Sequence, residues 1–163
     1  RGLGDVYKRQ LQPMYNLVKR QAEVEILPMA KSENIGVISY SPLGGGLLTG
    51  KYNIDNTSNK NSLGRLHDNS KYKKRYGQNW MYNAAIALQK LASELNYDPI
   101  ALAVAWVSHN DAITAPIISA RNLKQLKPSL DSIKISLDED AYKLISNISP
   151  TPPPATDRLE EVQ

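Results

Sequence analysis

The chain has 163 residues, 41% of them hydrophobic and 22% charged, the balance of one ordinary globular domain rather than of a disordered chain. Its formal charge of +4 comes from 20 basic and 16 acidic residues, too small and too scattered an excess to argue for a nucleic-acid partner. The sequence contains no cysteine, which excludes disulfides and thiolate or cysteine-zinc chemistry and fits a cytoplasmic protein, and no apolar run approaches the ~20 residues that span a bilayer.

In chain order, residues 1–10 (RGLGDVYKRQ) differ in character from the rest of the chain, with two glycines and no clear period, and are expected to be a non-native leader, the alternative being an ordinary N-terminal loop. Leu11 to Val18 reads as a short strand with its turn. Lys19 to Asn34 has helical spacing, but Pro28 is tolerated only in a first turn, so the helix is expected to begin near Leu27. Gly36 suits the position just past its end. Val37 to Tyr40 is a β-branched and aromatic run that reads as a buried strand. A proline-glycine loop, SPLGGGLLTGKY, comes directly after it. Asn53 to Gly77 is polar and basic and reads as one long surface loop.

Asn79 to Leu95 is the clearest helix, with Met81, Ala84, Ala85, Leu88, Leu91, Ala92 and Leu95 on one face. Asp98 and Pro99 form an N-cap and first-position pair for a second, nearly all-apolar helix through about Ser108. Ala115 to Ser119 reads as another apolar strand, and Asn122 as the cap of the helix after it. Ser136 with Glu139 predicts a capping box for a last helix, Leu137 to Ile148. The tail, residues 149–163, is expected to be extended or disordered. Single short strands alternating with helices imply parallel β/α units. Three such strands would leave two open edges and an uncovered face, either as a small open α/β sheet or as a piece of a larger one.

In parallel β/α folds ligands bind at the C-terminal ends of the strands, which singles out Gln12–Asn16, Tyr40–Gly46 and Ser119–Gln125. The Tyr40 ring has the shape to stack on a flat heterocycle, or it is a core tyrosine before a flexible turn. Gly44, Gly45 and Gly46 would let backbone N–H groups approach phosphate oxygens, although the loop is neither a Walker A sequence nor GxGxxG. Ser119-Ala120-Arg121-Asn122 leads into a helix N-terminus and offers an anion site, with Arg121 able to pair with a phosphate; the alternative is a capped turn with a solvated arginine. The amides of Gln12 and Asn16 would bond a carboxamide or satisfy strand-end backbone groups. No acid/base constellation or metal site is found. Asp138, Glu139 and Asp140 suit a helix start, His67 and His109 lack ligand spacing, and Lys71, Lys73, Lys74 and Arg75, with Tyr72 and Tyr76 interleaved, read as a solvated face, the alternative being a single-stranded nucleic-acid surface.

QPMYN, GVISYSPLGGGLLTGKY and APIISARNLKQL, in this order, resemble the second half of an aldo-keto reductase, nearest the branch with a long loop after the seventh strand. AVAWV in the buried helix also matches, and the resemblance extends over residues 11–148. It implies an α/β fold, the C-terminal portion of a (β/α)8 TIM barrel holding strands six to eight. The family transfers hydride from NADPH to a carbonyl carbon. Carried over residue by residue, Gln12 would hold the nicotinamide carboxamide and Tyr40 would stack on the ring. Ser41, Leu43 and Gly45 would line the pyrophosphate, and Ser119, Ala120 and Arg121 would surround the adenosine 2′-phosphate. Gln125 and Ser129 would sit near the ribose phosphate and adenine.

Two departures stand out. Ser119 occupies a position that is often glycine, and Pro128-Ser129 replace the usual Glu-Asn, so a kink or restart is expected at Pro128. The family's catalytic Asp, Tyr, Lys and His lie in its first half and have no counterpart here, so the chain by itself is expected to show no reductase activity. The expected partner is a small-molecule carbonyl substrate in the complete protein, with no nucleic acid and no membrane. The alternatives are a nucleotide-binding regulatory subunit of the channel β-subunit type and a small independent α/β nucleotide-binding domain.

Overall fold

The computed structural model describes residues 10–52, 66 and 69–154. The expected leader, apart from Gln10, lies outside them, as do His67, most of the polar segment after Tyr52 and the tail beyond residue 154. Three parallel strands, β1 (Gln10–Leu11), β2 (Gly36–Ser39) and β3 (Ala115–Pro116), form one sheet in that spatial order. The helices are α1 (Ile26–Ser32), α2 (Ser70–Tyr76), α3 (Asn79–Glu94), α4 (Pro99–His109), α5 (Leu123–Asp131) and α6 (Glu139–Ser146).

The flanking strands are shorter than their sequence runs, and proline is the reason. Pro13 and Pro116 have no N–H to donate to a ladder. The chain around them still bonds β2 and its end: Tyr40 N donates to Pro13 O at 3.0 Å and Ile117 N to Ser39 O at 2.7 Å. After a single bridge at Met14, Asn16 and Lys19 close a turn by exchanging backbone hydrogen bonds.

Pro28 is the third residue of α1, in the first turn, where its missing N–H costs no intrahelical bond. The left-handed residue past that helix is Asn34, with φ 52°, whereas Gly36 opens β2; asparagine tolerates this conformation better than most residues. Helix α2 lies within the segment expected to be loop. Its cap is Asn69, whose side chain accepts from Lys71 N and Tyr72 N. The Asp98 cap with Pro99 behind it and the Asn122 cap stand where the sequence predicts them. Helix α6 is capped by Asp138 rather than Ser136 and starts two residues later than expected.

Pro128 does not make α5 restart. The helix continues to Asp131 and passes into a 3-10 turn over Ser132–Lys134. Lys124, whose carbonyl loses the N–H four residues on, is exposed to solvent. Asp131 bonds Lys127 and Lys134 on either side of the hand-over at 2.8 and 2.6 Å, and these two ammonium groups hold its carboxyl down at about 2.

Alternation along the strands gives the sheet two unlike faces. Val37 and Ser39 are buried against the helices, while Gln12, Ile38, Tyr40, Ala115 and Ile117 lie exposed or half-buried on the opposite face. The central element of the covered side is α4, in which residues 101–107 are all buried. Trp106 stacks on Tyr15 and Tyr142, with ring centroids 5.1 and 5.7 Å away, and its indole N–H bonds Ser146 Oγ. Burial of a large apolar side chain of this kind contributes about 1.5–3 kcal/mol. No helix among the described residues is long and apolar enough to cross a membrane.

Candidate functional site

The parallel strands bring their C-terminal ends to one edge of the sheet. Gln12 follows β1, Tyr40 and Ser41 follow β2, and Ser119 lies three residues past β3. Because side chains alternate, Gln12 and Tyr40 fall on the same uncovered face. Gln12 is exposed and Tyr40 half-buried. The Tyr40 backbone is bonded on both sides to the chain after β1, its N–H to Pro13 O at 3.0 Å and its carbonyl to Tyr15 N at 3.3 Å. The ring therefore leaves the sheet from a fixed point, beside an exposed amide. Such a pair can grip a planar ring bearing a carboxamide.

Beyond Tyr40 the chain turns sharply. Ser41 has φ 59°, and Gly44, Gly45, Gly46 and Gly50 also have positive φ. The Gly44 N–H donates to Ser41 O and the Gly46 N–H to Leu43 O, so both amides are committed to the turn. Gly45 is bare for a further reason: a Cβ there would stand 2.7 Å from the Tyr72 ring of α2. Tyr72 and Tyr76 thus cover one side of the glycine loop, and Lys51 brings a positive charge beside Gly46. Sequence alone does not single out Lys51, and it shows the tyrosines only as parts of a solvated basic stretch. Their four-residue spacing after Asn69 is the helical signal that could have found them.

The third strand end is open. Ser119, Ala120 and Arg121 are all exposed, and Arg121 forms no ion pair among the described residues. Gln125 has local work: its Oε1 accepts from Arg121 N at 3.3 Å, while its own N–H donates to the Asn122 cap. Ser129 is not presented with the others. It is 3% exposed, and its carbonyl accepts from the Ser132 hydroxyl. Leu43 is half-buried, and its carbonyl accepts from both Gly46 and Leu48.

Of the two amides the sequence offered, that of Asn16 bonds backbone groups. Asn16 is fully buried; its Nδ2 donates to Ser41 O at 2.8 Å and its Oδ1 accepts from Val18 N at 3.1 Å. His109, at the end of α4, packs on the Tyr142 ring and lies 3.8 Å from Glu139. Among the described residues no cluster of three or more His, Asp or Glu side chains could hold a metal ion.

Residues 8–150 match the model of the Aldo/keto reductase family. The chain is 33% identical over 144 residues to the uncharacterized oxidoreductase YrpG of Bacillus subtilis, covering 86% of this chain and 40% of that protein. It is 33% identical over 132 residues to aflatoxin B1 aldehyde reductase member 2 of Mus musculus, covering 73% and 36%. Among solved structures, the glycerol dehydrogenase AKR11B4 of Gluconobacter oxydans superposes with a TM-score of 0.67 at 32% identity, over 85% of this chain and 41% of that one. The chain thus spans about 40% of the length of these relatives.

Proposed function

Since the chain belongs to the aldo/keto reductase family, we propose that it is the nucleotide-holding part, strands six to eight of a (β/α)8 barrel, of an NADPH-dependent oxidoreductase that reduces aldehydes or ketones to alcohols. The observation that carries this reading is the placement of Gln12 and Tyr40 on one uncovered sheet face at adjacent parallel strand ends. Exposed Arg121 stands past the third strand end.

NADPH, when bound, supplies the hydride; the residues here supply grip and orientation. Tyr40 would stack on the nicotinamide and Gln12 would bond its carboxamide. The turn from Ser41 through Gly45 would line the pyrophosphate, and the Lys51 ammonium beside Gly46 would offset its charge. Ser119, Ala120 and Arg121 would hold the 2′-phosphate at the start of α5, where the positive end of the helix dipole favours an anion. Gln125 contributes to the ribose phosphate by fixing the Arg121 backbone. The arrangement fits a sheet face on which Gln12 is exposed and Tyr40 half-buried.

Arg121→Ala tests the reading. Loss of a charged hydrogen-bonding partner is expected to weaken NADPH binding by about tenfold or more while leaving NADH within about twofold. Titration of both dinucleotides, followed by nicotinamide fluorescence, measures it. Equal losses would refute the 2′-phosphate role of Arg121.

A further inference from the structure

We infer that Asn16 is a positioning residue for the nicotinamide platform, acting through Ser41 on the plane of the Tyr40 ring. This rests on the reading that Tyr40 stacks on a nicotinamide.

The geometry leaves Asn16 little freedom. It is fully buried, and its backbone N–H and carbonyl are both bonded to Lys19. Its Oδ1 must face the Val18 N–H and its Nδ2 the Ser41 carbonyl, because each pairing works only with the amide in that sense. Ser41 has the left-handed φ of 59°, a conformation unfavourable for a serine, and something must hold it there. Two donors converge on its carbonyl, Asn16 Nδ2 at 2.8 Å and Gly44 N at 3.0 Å. On the other side of the same residue pair, the Tyr40 N–H and carbonyl are tied to Pro13 and Tyr15. Asn16 is thus the side-chain lock on the C-terminal side of Tyr40, and it comes from the strand end that also carries Gln12. Helix α2 closes the back of this lock: the buried Tyr76 hydroxyl donates to Met14 Sδ at 3.1 Å. Burial pushes the Tyr76 phenol up, partly offset by hydrogen bonding with Asn16 and Ser41.

The test separates the nicotinamide end from the rest of the nucleotide. Asn16→Asp keeps the acceptor for Val18 N–H and removes the donor to Ser41. NADPH and adenosine 2′,5′-bisphosphate, which lacks the nicotinamide half, are titrated calorimetrically against the 163-residue chain. The variant is expected to lose about tenfold in NADPH affinity, to hold the bisphosphate within about twofold, and to alter the fluorescence of bound nicotinamide. Asn16→Ser, compared at matched melting temperature, repeats the measurement if the aspartate variant unfolds. Equal loss of both ligands in the folded variants, or loss of neither, overturns the inference. A wild-type chain that binds the bisphosphate as tightly as NADPH overturns it while leaving the nucleotide reading intact. A wild-type chain that binds neither ligand overturns both.

Discussion

Gly45 combines two structural demands that its place in the sequence does not reveal. Its bareness suggests close approach of a phosphate. In the structure its positive φ is required by the turn, and the absent Cβ leaves room for the Tyr72 ring. Gly45→Ala meets both penalties, since a left-handed alanine costs roughly 1–2 kcal/mol before any displacement of Tyr72. The expected outcome is a loss of about 2 kcal/mol in urea-unfolding stability, with faster proteolytic cleavage near α2 as its ring is pushed aside. Wild-type stability in the variant would refute both the left-handed turn at Gly45 and the packing of Tyr72 against it. The pairing of Tyr40 with its glycine loop is readable from the residues, because a tyrosine at a strand end before Pro and Gly is a local pattern. The burial of Ser129 is not, since it depends on how α5 packs rather than on its neighbours in sequence.

At the scale of elements, the end of β1 is joined to α4 and α6 by one part-buried network. Tyr15 donates to Glu23 Oε1 at 2.7 Å. Arg20 reaches both Glu23 oxygens at 2.9 Å and the Ser146 carbonyl at 2.9 Å, and its guanidinium lies over Trp106. With the two side chains only 12% and 21% exposed, removing one charge leaves the other poorly solvated. Glu23→Gln is expected to cost about 3 kcal/mol, measured by denaturant unfolding; a cost below about 1 kcal/mol would place the pair with ordinary surface ion pairs. Helix positions themselves are largely legible, because the three- and four-residue apolar spacing of α3 and the Asp98-Pro99 signal are local. Helix α2 and the Asp138 cap escape detection for the converse reason. A seven-residue basic helix has little propensity signal, and two candidate caps two residues apart are separated only by how the chain enters the helix.

For the whole molecule, tyrosine burial makes a pH prediction. Burial raises the phenols of Tyr15, Tyr76 and Tyr142, with Tyr15 raised further by the nearby Tyr142 and Glu23. A phenol whose folded pKa lies above its unfolded value contributes no pH dependence below the ordinary value of about 10. Above it the unfolded chain ionises first, so stability falls as pH rises. Unfolding free energy is therefore expected to be level in tyrosine's contribution below about pH 10 and to drop steeply above it, with Tyr15→Phe showing a shallower slope. Denaturation curves at stepped alkaline pH measure this. An unchanged slope in Tyr15→Phe would remove Tyr15 from the account.

The residues alone determined the order of elements apart from α2, the parallel β/α class and the three strand ends proposed to hold a ligand, because each rests on short-range rules: period, capping and proline or glycine chemistry. The tertiary structure decided which of those residues stand together. It shortened β1 and β3, because the prolines interrupt ladders that apolar composition alone would extend. It set Gln12 and Tyr40 on one face through the strand register. It turned Asn16 inward onto the Ser41 carbonyl, a partner 25 residues away that no local spacing could have named, because hydrogen bonds across neighbouring strand ends are fixed only when the strands pair.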